Sequence, residues 1–398
     1  MFCPIFLKIS ERLFGSCKGD KLNIDKLENE AIEFIKDTCN FDETVVMFSG
    51  GKDSLVVMDL AKKAGLNHAV YINSELEFTV SRDYVNSMKK FYNIEDLHPK
   101  NNFFDFCLKL SPPSKRLKWC CKVLKLAPMM EYSIKNNKFY HLTGIRSDES
   151  SRRSKYDKIS TDPMLFANPR YKFHEVNPIF EWSDKDVWRY IKYNNLPFNP
   201  LYSYINRVGC WCCPFSTKNE FRLATDIEKE GYKKFLDVLK SFSVSELPKE
   251  YSRKYVKNGW RSHAFRYSKN NVIKMSSSGK DYILKGYIFY LKQLKNIMFI
   301  IASRYELLEN TLKFTLEGKL QNQQIRLLLE KPLNCIGCGV CLILCPVNAL
   351  YLNKENVINV NKNKCVGCLA CCKNIDSKLK MGCISRNYKK KRFSIELI

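Results

Sequence analysis

Short apolar runs alternate with longer stretches of helical period in the first half of the chain. TVVMFS begins at Thr44, HAVYIN at His68 and FYHLTGI at Phe139, and each run is rich in β-branched or aromatic residues. Strands that alternate with helices are typical of a parallel sheet covered by helices. We therefore expect an α/β core with a parallel sheet at residues 43–215, preceded by an N-terminal extension at 1–42.

The later part of the chain has a different pattern. Residues 216–330 contain few Gly or Pro and many Lys and Tyr, and the segments YKKFLDVLKSF and YELLENTLKFTL have helical period. This pattern predicts a basic, mainly helical region. Cysteines then dominate residues 331–386, and residues 387–398 form a basic tail.

Composition narrows the class of protein. The 398 residues carry 66 Lys and Arg against 41 Asp and Glu, a formal net charge of +25, and they include 18 cysteines. A hydrophobic fraction of 45% excludes a disordered chain. No apolar run approaches the roughly 20 residues that span a bilayer, and the first residues lack the apolar stretch of a secretory leader. We therefore expect a cytoplasmic protein with no membrane segment, in which clustered cysteines bind metal rather than form disulfides.

The first run is followed by a glycine-rich turn and a helical segment that Gly65 closes. Glycines at a strand-to-helix turn let the backbone approach a phosphate, and the positive end of the new helix attracts an anion. Gly, Asp and Ser are also common in a plain turn, but SGGKDS in this context favours phosphate binding. The predicted phosphate-binding residues of this loop are Ser49, Gly50, Gly51, Lys52, Asp53 and Ser54.

Two arginines extend this predicted nucleotide site. Arg146 follows the strand-like FYHLTGI and so belongs at the carboxyl edge of a parallel sheet, where open α/β folds bind ligands. A guanidinium grips phosphate or sulfate through two hydrogen bonds, and Arg153 has the same capacity. Solvated surface charge is the competing interpretation for both. Asp148 and Glu149 have two possible roles, which are to orient these arginines or to hold Mg²⁺.

Four cysteines of the core supply a first set of thiolates. Cys120 and Cys121 are adjacent, whereas Cys210 and Cys213 form a C-x2-C pair. Four thiolates suit a 4Fe-4S cluster or a structural zinc. Adjacent ligands strain a single tetrahedral zinc, so the cluster is the favoured interpretation, and zinc stays open.

The C-terminal cysteines form two runs that resemble a bacterial two-cluster ferredoxin. The first run keeps the full spacing and ends in Cys345-Pro346, but the second lacks its fourth cysteine. The resemblance implies a 4Fe-4S ferredoxin-type domain at 331–386 in which Cys345 completes the cluster of the second run. We assign the missing ligand to Cys383, with Cys372 as the competitor. The eight predicted ligands are Cys335, Cys338, Cys341 and Cys383 for one cluster and Cys345, Cys365, Cys368 and Cys371 for the other.

Four ordered motifs together resemble the PP-loop family, and in particular its phosphoadenylylsulfate (PAPS) reductase branch. They are the SGGKDS loop, GIRSDES with Arg153, NPIFEWSDKDVWRYI with NPLY, and WCC paired with the C-x2-C element. The resemblance implies a PP-loop core that binds ATP or an adenylylsulfate-type nucleotide and carries an iron-sulfur cluster. The Glu-Cys-Gly-x-His element that supplies the attacking cysteine in those reductases is absent, and no cysteine lies between Cys213 and Cys335.

We therefore predict an iron-sulfur oxidoreductase or sulfurtransferase of the PAPS reductase-like family, with its catalytic residues unassigned. It would couple an adenylyl nucleotide, with or without Mg²⁺, to electron transfer in sulfur reduction or transfer. We also predict two clusters in the ferredoxin-type domain and a third cluster in the core. The predicted partner is an electron donor or acceptor protein. The alternative is ATP-dependent and iron-sulfur-dependent thiolation of tRNA, in which the basic region 216–330 grips RNA. A ferredoxin-like carrier with a regulatory nucleotide site is the third possibility.

Overall fold

The computed structural model divides the chain into two units. The first unit comprises Met1–Pro99, Pro128–Asp162 and Lys172–Lys234, and the second comprises Lys100–Ala127, Pro163–Tyr171 and Phe235–Ile398. The structure describes residues 21–109, 111–115, 118–151, 153–160, 172–246, 249–262, 271–285, 294, 298, 302–309, 311–316, 325, 328, 329, 335, 339–343, 345–353, 358–368 and 393–397.

Most of the α-helices whose bounds the structure describes lie before residue 258, and the described residues 294, 298, 325, 328 and 329 are also helical. The α-helices of the described residues are α1 Lys21–Thr38, α2 Lys52–Ala64, α3 Thr79–Met88, α4 Phe103–Lys109, α5 Trp119–Cys121, α6 Ala127–Lys135, α7 Asp184–Tyr193, α8 Lys218–Ile227, α9 Lys229–Glu246, α10 Lys249–Lys257 and α11 Val340–Ile343. A π-helical turn, Lys122–Leu126, joins α5 to α6, and 3-10 turns occupy Phe41–Glu43, Ser147–Glu149, Arg153–Lys155, Pro200–Ser203 and Gly259–Arg261. No described helix is long and apolar enough to cross a membrane.

Strands occur in both units. They are β1 Thr44–Phe48, β2 Ala69–Ile72, β3 Ile94–Leu97, β4 Tyr140–Leu142, β5 Ile159–Ser160, β6 His174–Val176, β7 Asn271–Ser278, β8 Asp281–Lys285, β9 Ala302–Leu308, β10 Thr311–Leu316, β11 Leu350–Leu352, β12 Ile358–Val360 and β13 Phe393–Leu397. The first unit holds a six-stranded sheet in the order β3-β2-β1-β4-β6-β5, in which only the short β5 is antiparallel to its neighbour. The predicted α/β fold with a parallel sheet is confirmed.

The ends of two helices next to the sheet follow from local sequence. Helix α2 ends at Gly65, which adopts φ +107° and returns its N–H to the last turn of the helix. Helix α7 begins with a capping box in which Ser183 and Asp186 each accept the other's backbone N–H. The apolar face of α2 packs completely into the core, where Leu55 and Leu60 have no exposed surface. These contacts fix both helices against the sheet.

The second unit contains a five-stranded sheet in the order β13-β7-β8-β10-β9, which is antiparallel except where β13 pairs with β7. Strands β11 and β12 form a separate antiparallel pair between the two cysteine runs. Side chains of the larger sheet, such as Leu284 and Leu312, share one apolar core with Cys345 and Val360. Cys345, the last cysteine of the first run, therefore packs in the same core as the sheet.

The predicted helical character of 216–330 is right for α8, α9 and α10 and wrong for the strands β7, β8, β9 and β10. YELLENTLKFTL, predicted as helix, forms most of β9 and all of β10. Leu312, Phe314 and Leu316 are buried while Lys313 is exposed, which is the two-residue period of a strand. Pairing with β8 places Leu312 opposite Leu284, so long-range packing overrode the local helical pattern. The predicted domain boundaries stay predictions.

Candidate nucleotide site

A cleft lies at the carboxyl edge of the parallel sheet in the first unit. The chain leaves β1 toward β2 on one side and returns to β4 on the other, which makes β1 and β4 a topological switch point, where open α/β sheets bind ligands. Residues that follow β1 and β4 line a cavity of about 610 Å³ there. This volume falls within the range of roughly 300–1,000 Å³ that is typical of small-molecule sites.

Glycines allow the loops around the cleft to approach one another. Gly50 adopts φ +75°, a left-handed conformation that glycine reaches without strain, and Gly51 caps α2 without a side chain. A Cβ at Gly144, in the loop after β4, would lie 2.7 Å from the carbonyl carbon of Asp53. Only glycine fits there, because the β4 loop lies directly against the first turn of α2.

Two serines close the phosphate loop on itself. The Ser54 hydroxyl accepts the backbone N–H of Ser49 at 3.1 Å and donates to the Gly51 carbonyl at 3.0 Å. The two hydroxyl oxygens of Ser49 and Ser54 lie 3.0 Å apart. These bonds preorganise the loop around the start of α2.

The NPLY turn forms a second wall of the site. Asn199, which is buried, donates from Nδ2 to the Gly50 carbonyl at 3.1 Å and to the Ser81 hydroxyl at 2.9 Å. The carbonyl and N–H of one peptide point in opposite directions. Asn199 therefore fixes the orientation of the peptide that carries the Gly51 N–H. In the same turn, the Tyr202 hydroxyl accepts the Lys52 backbone N–H at 2.9 Å.

Two cations and two carboxylates form the centre of the site. Lys52 Nζ lies 3.0 Å from Asp53 and 2.8 Å from Asp184 Oδ1. Arg146 Nε donates to Asp53 Oδ1 at 2.6 Å, and its Nη2 donates to Asp184 Oδ1 at 3.0 Å. The side chains of Lys52 and Arg146 are only 7% and 4% exposed, so the carboxylates compensate for cations that are almost fully desolvated.

The electrostatics around Arg146 favour its charged form. Burial lowers the pKa of Arg146, but Asp53, Asp184 and Glu149 together outweigh burial and raise it. The Arg146 backbone N–H also donates to Glu149 Oε2 at 3.1 Å, and Glu149 forms an ion pair with Arg153. These are the contacts expected of an acidic residue that orients the two arginines. In the described part of the chain, no three His, Cys, Asp or Glu side chains are grouped to hold a metal ion.

The cleft brings together most of the residues that the sequence predicted for it. Seven of the eight predicted nucleotide residues line it, and the eighth, Gly50, lies in the same loop. Asp184, Asn199, Tyr202 and Arg207 were not among the predicted site residues. The first three lie in the two segments NPIFEWSDKDVWRYI and NPLY, which were therefore the signal available for them.

The four core cysteines divide between the two units. In the first unit, the Cys213 N–H donates to the Cys210 carbonyl at 3.1 Å, so the C-x2-C pair forms a tight turn, and Cys210 Sγ lies 3.8 Å from the buried Glu77 carboxylate. In the second unit, Cys120 and Cys121 lie in α5 and are half-buried and exposed. None of these cysteines forms a disulfide.

The C-terminal run shows the hydrogen bonds that thiolate ligands receive. The Ala349 N–H donates to Cys345 Sγ at 3.2 Å, and the Ile358 N–H donates to Cys335 Sγ at 3.1 Å. Amide donors stabilise negative charge on sulfur, so this donor set fits an iron-sulfur cluster. Cys345 is buried in the shared core and Cys365 packs against that core. Cys341 and Cys368 are also described, whereas Cys338, Cys371, Cys372 and Cys383 lie outside the described residues.

Two segments of the chain match known family models. Residues 43–216 match the model of the phosphoadenosine phosphosulfate reductase domain, and residues 331–351 match the 4Fe-4S binding domain. The chain therefore contains a PAPS reductase domain, which encloses β1–β6, and a 4Fe-4S motif that coincides with the run from Cys335 to Cys345.

Individual relatives cover part of the chain. An uncharacterized protein of Methanocaldococcus jannaschii is 32% identical over 248 residues, which are 59% of this chain and 58% of that protein. An adenosine 5′-phosphosulfate reductase of Oceanobacillus iheyensis is 29% identical over 179 residues, which are 43% of this chain and 71% of that enzyme. The chain spans about half the length, 58% and 46%, of two of the curated relatives that it matches.

Solved structures resemble the chain more distantly. The tRNA thiolase NcsA of Methanococcus maripaludis, solved with its 4Fe-4S cluster, gives a TM-score of 0.36 at 16% identity. That match covers 60% of this chain and 81% of the thiolase.

Proposed function

We propose that the protein binds an adenylyl nucleotide, of the ATP or adenylylsulfate type, in the cleft of the first unit. We further propose that it couples this nucleotide to electron transfer in sulfur reduction or sulfur transfer. The observation that carries the proposal is the pair of buried cations, Lys52 and Arg146, held by carboxylates at the edge of the phosphate loop. The PAPS reductase domain match supports the nucleotide class.

The protein's own oxygens occupy this site in the structure. Asp53 and Asp184 contact both central cations, and the Tyr202 hydroxyl accepts a hydrogen bond from the Lys52 amide. Phosphoryl oxygens offer the same acceptors with more negative charge. An entering phosphate would therefore share Lys52 and Arg146 with the carboxylates, at the helix terminus that favours an anion. The proposed ligands are Ser49, Gly50, Gly51, Lys52, Asp53, Ser54, Arg146 and Arg153.

The cysteine-rich segment supports the redox half of the proposal. The amide donors to Cys335 and Cys345 and the 4Fe-4S motif match support a cluster at the first run. Such clusters supply one-electron transfer. The second run and the set Cys120, Cys121, Cys210 and Cys213 are the proposed ligands of the other two clusters, and Cys383 is the proposed last ligand of the ferredoxin-type pair.

Nucleotide binding is tested by calorimetry on the anaerobically purified full chain. We expect ATP or adenylylsulfate to bind, and Lys52→Gln to weaken binding at least about 10-fold, because it removes a buried cation from the phosphate site. Lys185→Gln is the matched control, since Lys185 is exposed and lies next to Asp184 without lining the cleft. Failure of the parent protein to bind any adenylyl nucleotide would refute the proposal.

Iron analysis tests the cluster assignment. Three clusters require about 12 iron atoms per chain by ligand count. The double variant Cys335→Ser and Cys345→Ser should lower this to about 4, because each ferredoxin-type cluster loses one ligand, while nucleotide affinity stays at the parental value. About 4 iron atoms in the parent protein would contradict both the core cluster and the second ferredoxin cluster.

Product analysis separates reduction from the tRNA alternative. Release of sulfite or sulfide from adenylylsulfate or PAPS with reduced ferredoxin would support the oxidoreductase. The net charge of +25 and the exposed Lys229 and Lys233 on α9 favour thiolation of tRNA as the second candidate. For that candidate we expect nuclease-sensitive RNA to copurify and to be lost when these lysines are changed to Glu.

A further inference from the structure

Tyr202 places a hydroxyl group directly on the phosphate loop. Its oxygen accepts the Lys52 backbone N–H at 2.9 Å, and a Cβ at Gly51 would lie 3.3 Å from the same oxygen. Tyr202 also lines the cleft together with Lys52 and Arg146. The hydroxyl therefore lies where the first amide of α2 meets the cleft, and helix amides of this kind bind anions.

The Tyr202 hydroxyl is available as a hydrogen-bond donor. A phenol accepts and donates at the same time. Its oxygen accepts from Lys52, and the described residues offer no acceptor for its own proton. Burial raises the pKa of Tyr202 far above its ordinary value, against a smaller opposing effect of the Lys52 N–H. The group therefore stays a protonated donor in neutral solution.

The surroundings hold this donor in place. The Tyr202 ring meets Trp188 edge to face, with 5.2 Å between ring centroids. The turn that carries Tyr202 begins at Asn199, which is fixed to the Gly50 carbonyl and the Ser81 hydroxyl. A donor with so little freedom loses little entropy when it meets a ligand, which is what a preorganised binding group requires.

We propose that the Tyr202 hydroxyl donates a hydrogen bond to a phosphoryl oxygen of the bound nucleotide while it keeps the Lys52 amide. Tyr202 is then a phosphate-binding residue, and the ligand supplies the acceptor that the protein lacks. This inference rests on the nucleotide function proposed above. It also gives the Asn199–Tyr202 turn a ligand-binding role in addition to its contacts with the loop.

The test compares Tyr202→Phe with Tyr204→Phe in the full-length protein. Phenylalanine keeps the ring against Trp188 and removes only the hydroxyl, whereas Tyr204 lies in the same segment with 66% of its surface exposed. We expect Tyr202→Phe to bind ATP about 10-fold more weakly, the loss that follows from one hydrogen bond to a charged group. Binding of adenosine should not change, because adenosine has no phosphoryl group, and Tyr204→Phe should match the parent with both ligands.

Hydrogen exchange at the Lys52 amide gives a second measurement. We expect this amide to exchange faster in Tyr202→Phe, because it loses its acceptor. Parental ATP affinity in Tyr202→Phe would overturn the role of Tyr202 and leave the proposed function standing. An equal loss of ATP and adenosine binding would also overturn it, because it would show a structural role. A parent protein that binds neither ATP nor any other adenylyl nucleotide would overturn both.

Discussion

The two units bury different kinds of side chain. Every buried Lys, Arg, Asp, Glu or His among the described residues lies in the first unit, and these residues are Lys52, Asp59, Glu77, His141 and Arg146. The described core of the second unit combines apolar side chains with Cys345. A buried charge costs several kcal/mol unless its partners compensate for it. Burial of ionisable side chains therefore costs free energy in the first unit, both at the cleft and away from it, whereas the described core of the second unit packs apolar side chains around Cys345.

Asp59 is the strongest test of this difference. The buried Asp59 carboxylate accepts from Tyr92 at 2.9 Å and from Tyr190 at 2.8 Å, and it lies 3.3 Å from Lys63. Asp59→Ala leaves these groups without their shared acceptor, so we expect the free energy of unfolding to fall by about 3–5 kcal/mol. Urea denaturation followed by a probe in the first unit measures this change.

The control for Asp59 is Glu30→Gln. Glu30 pairs with Lys26 at 3.7 Å, and both side chains are more than half exposed, so its loss should change stability by less than about 1 kcal/mol. A similarly small effect of Asp59→Ala would contradict the claim that partnered buried charge maintains the first unit.

Because His141 is buried, we expect the stability of the same unit to depend on pH. Burial lowers the pKa of His141 from 6.5 to about 4, although a hydrogen bond with the Lys138 carbonyl acts in the opposite direction. The unfolded chain therefore takes up a proton at His141 near the ordinary pKa of histidine. In the folded protein, His141 is protonated only near pH 4. Stability should fall as pH decreases through this window, by about 2 kcal/mol from roughly pH 7 to 5.

Denaturation of parent and His141→Gln across this pH range measures the effect. The variant should lose most of the slope, whatever its absolute stability. His98→Gln is the control for replacing a histidine at an exposed position. If parent and His141→Gln have equal slopes, buried His141 is not the group that titrates.

We expect the smallest effect from replacing Asp184, and it concerns nucleotide affinity. Its carboxylate is 55% exposed and contacts Lys52 and Arg146, so it would compete with the phosphate proposed to bind there, while Asp53 also contacts both cations. Asp184→Asn should tighten nucleotide binding about 2- to 5-fold, since solvent screens an exposed pair. Calorimetry with ATP measures the change, and Glu181→Gln is the control because Glu181 is exposed and does not line the cleft. Weaker binding in Asp184→Asn would show instead that Asp184 helps to hold the ligand.

The parts of the site that could be predicted are contiguous in the sequence. The Ser49–Ser54 loop closes through hydrogen bonds within six residues, and α2 ends at the glycine that the sequence indicated. The cysteine spacing is similarly local, and the 4Fe-4S motif match begins and ends around it. Local backbone geometry and the requirement for glycine decide such features, so no distant contact is needed to recognise them.

The tertiary structure alone decided what completes the site and what fills the second unit. Tyr202 and Asn199 reach the phosphate loop from about 150 positions away, and Asp184 reaches Lys52 across a similar distance. Sequence motifs marked these segments but not their contacts. The segment YELLENTLKFTL has helical period, and pairing such as that of Leu312 with Leu284 placed it in a sheet. The sequence over short stretches thus determined the phosphate loop and the spacing of the cysteines. Contacts between distant segments, driven by burial of apolar surface, determined the sheet of the second unit and the residues that contact the loop. These contacts could not be predicted, because they do not depend on neighbours along the chain.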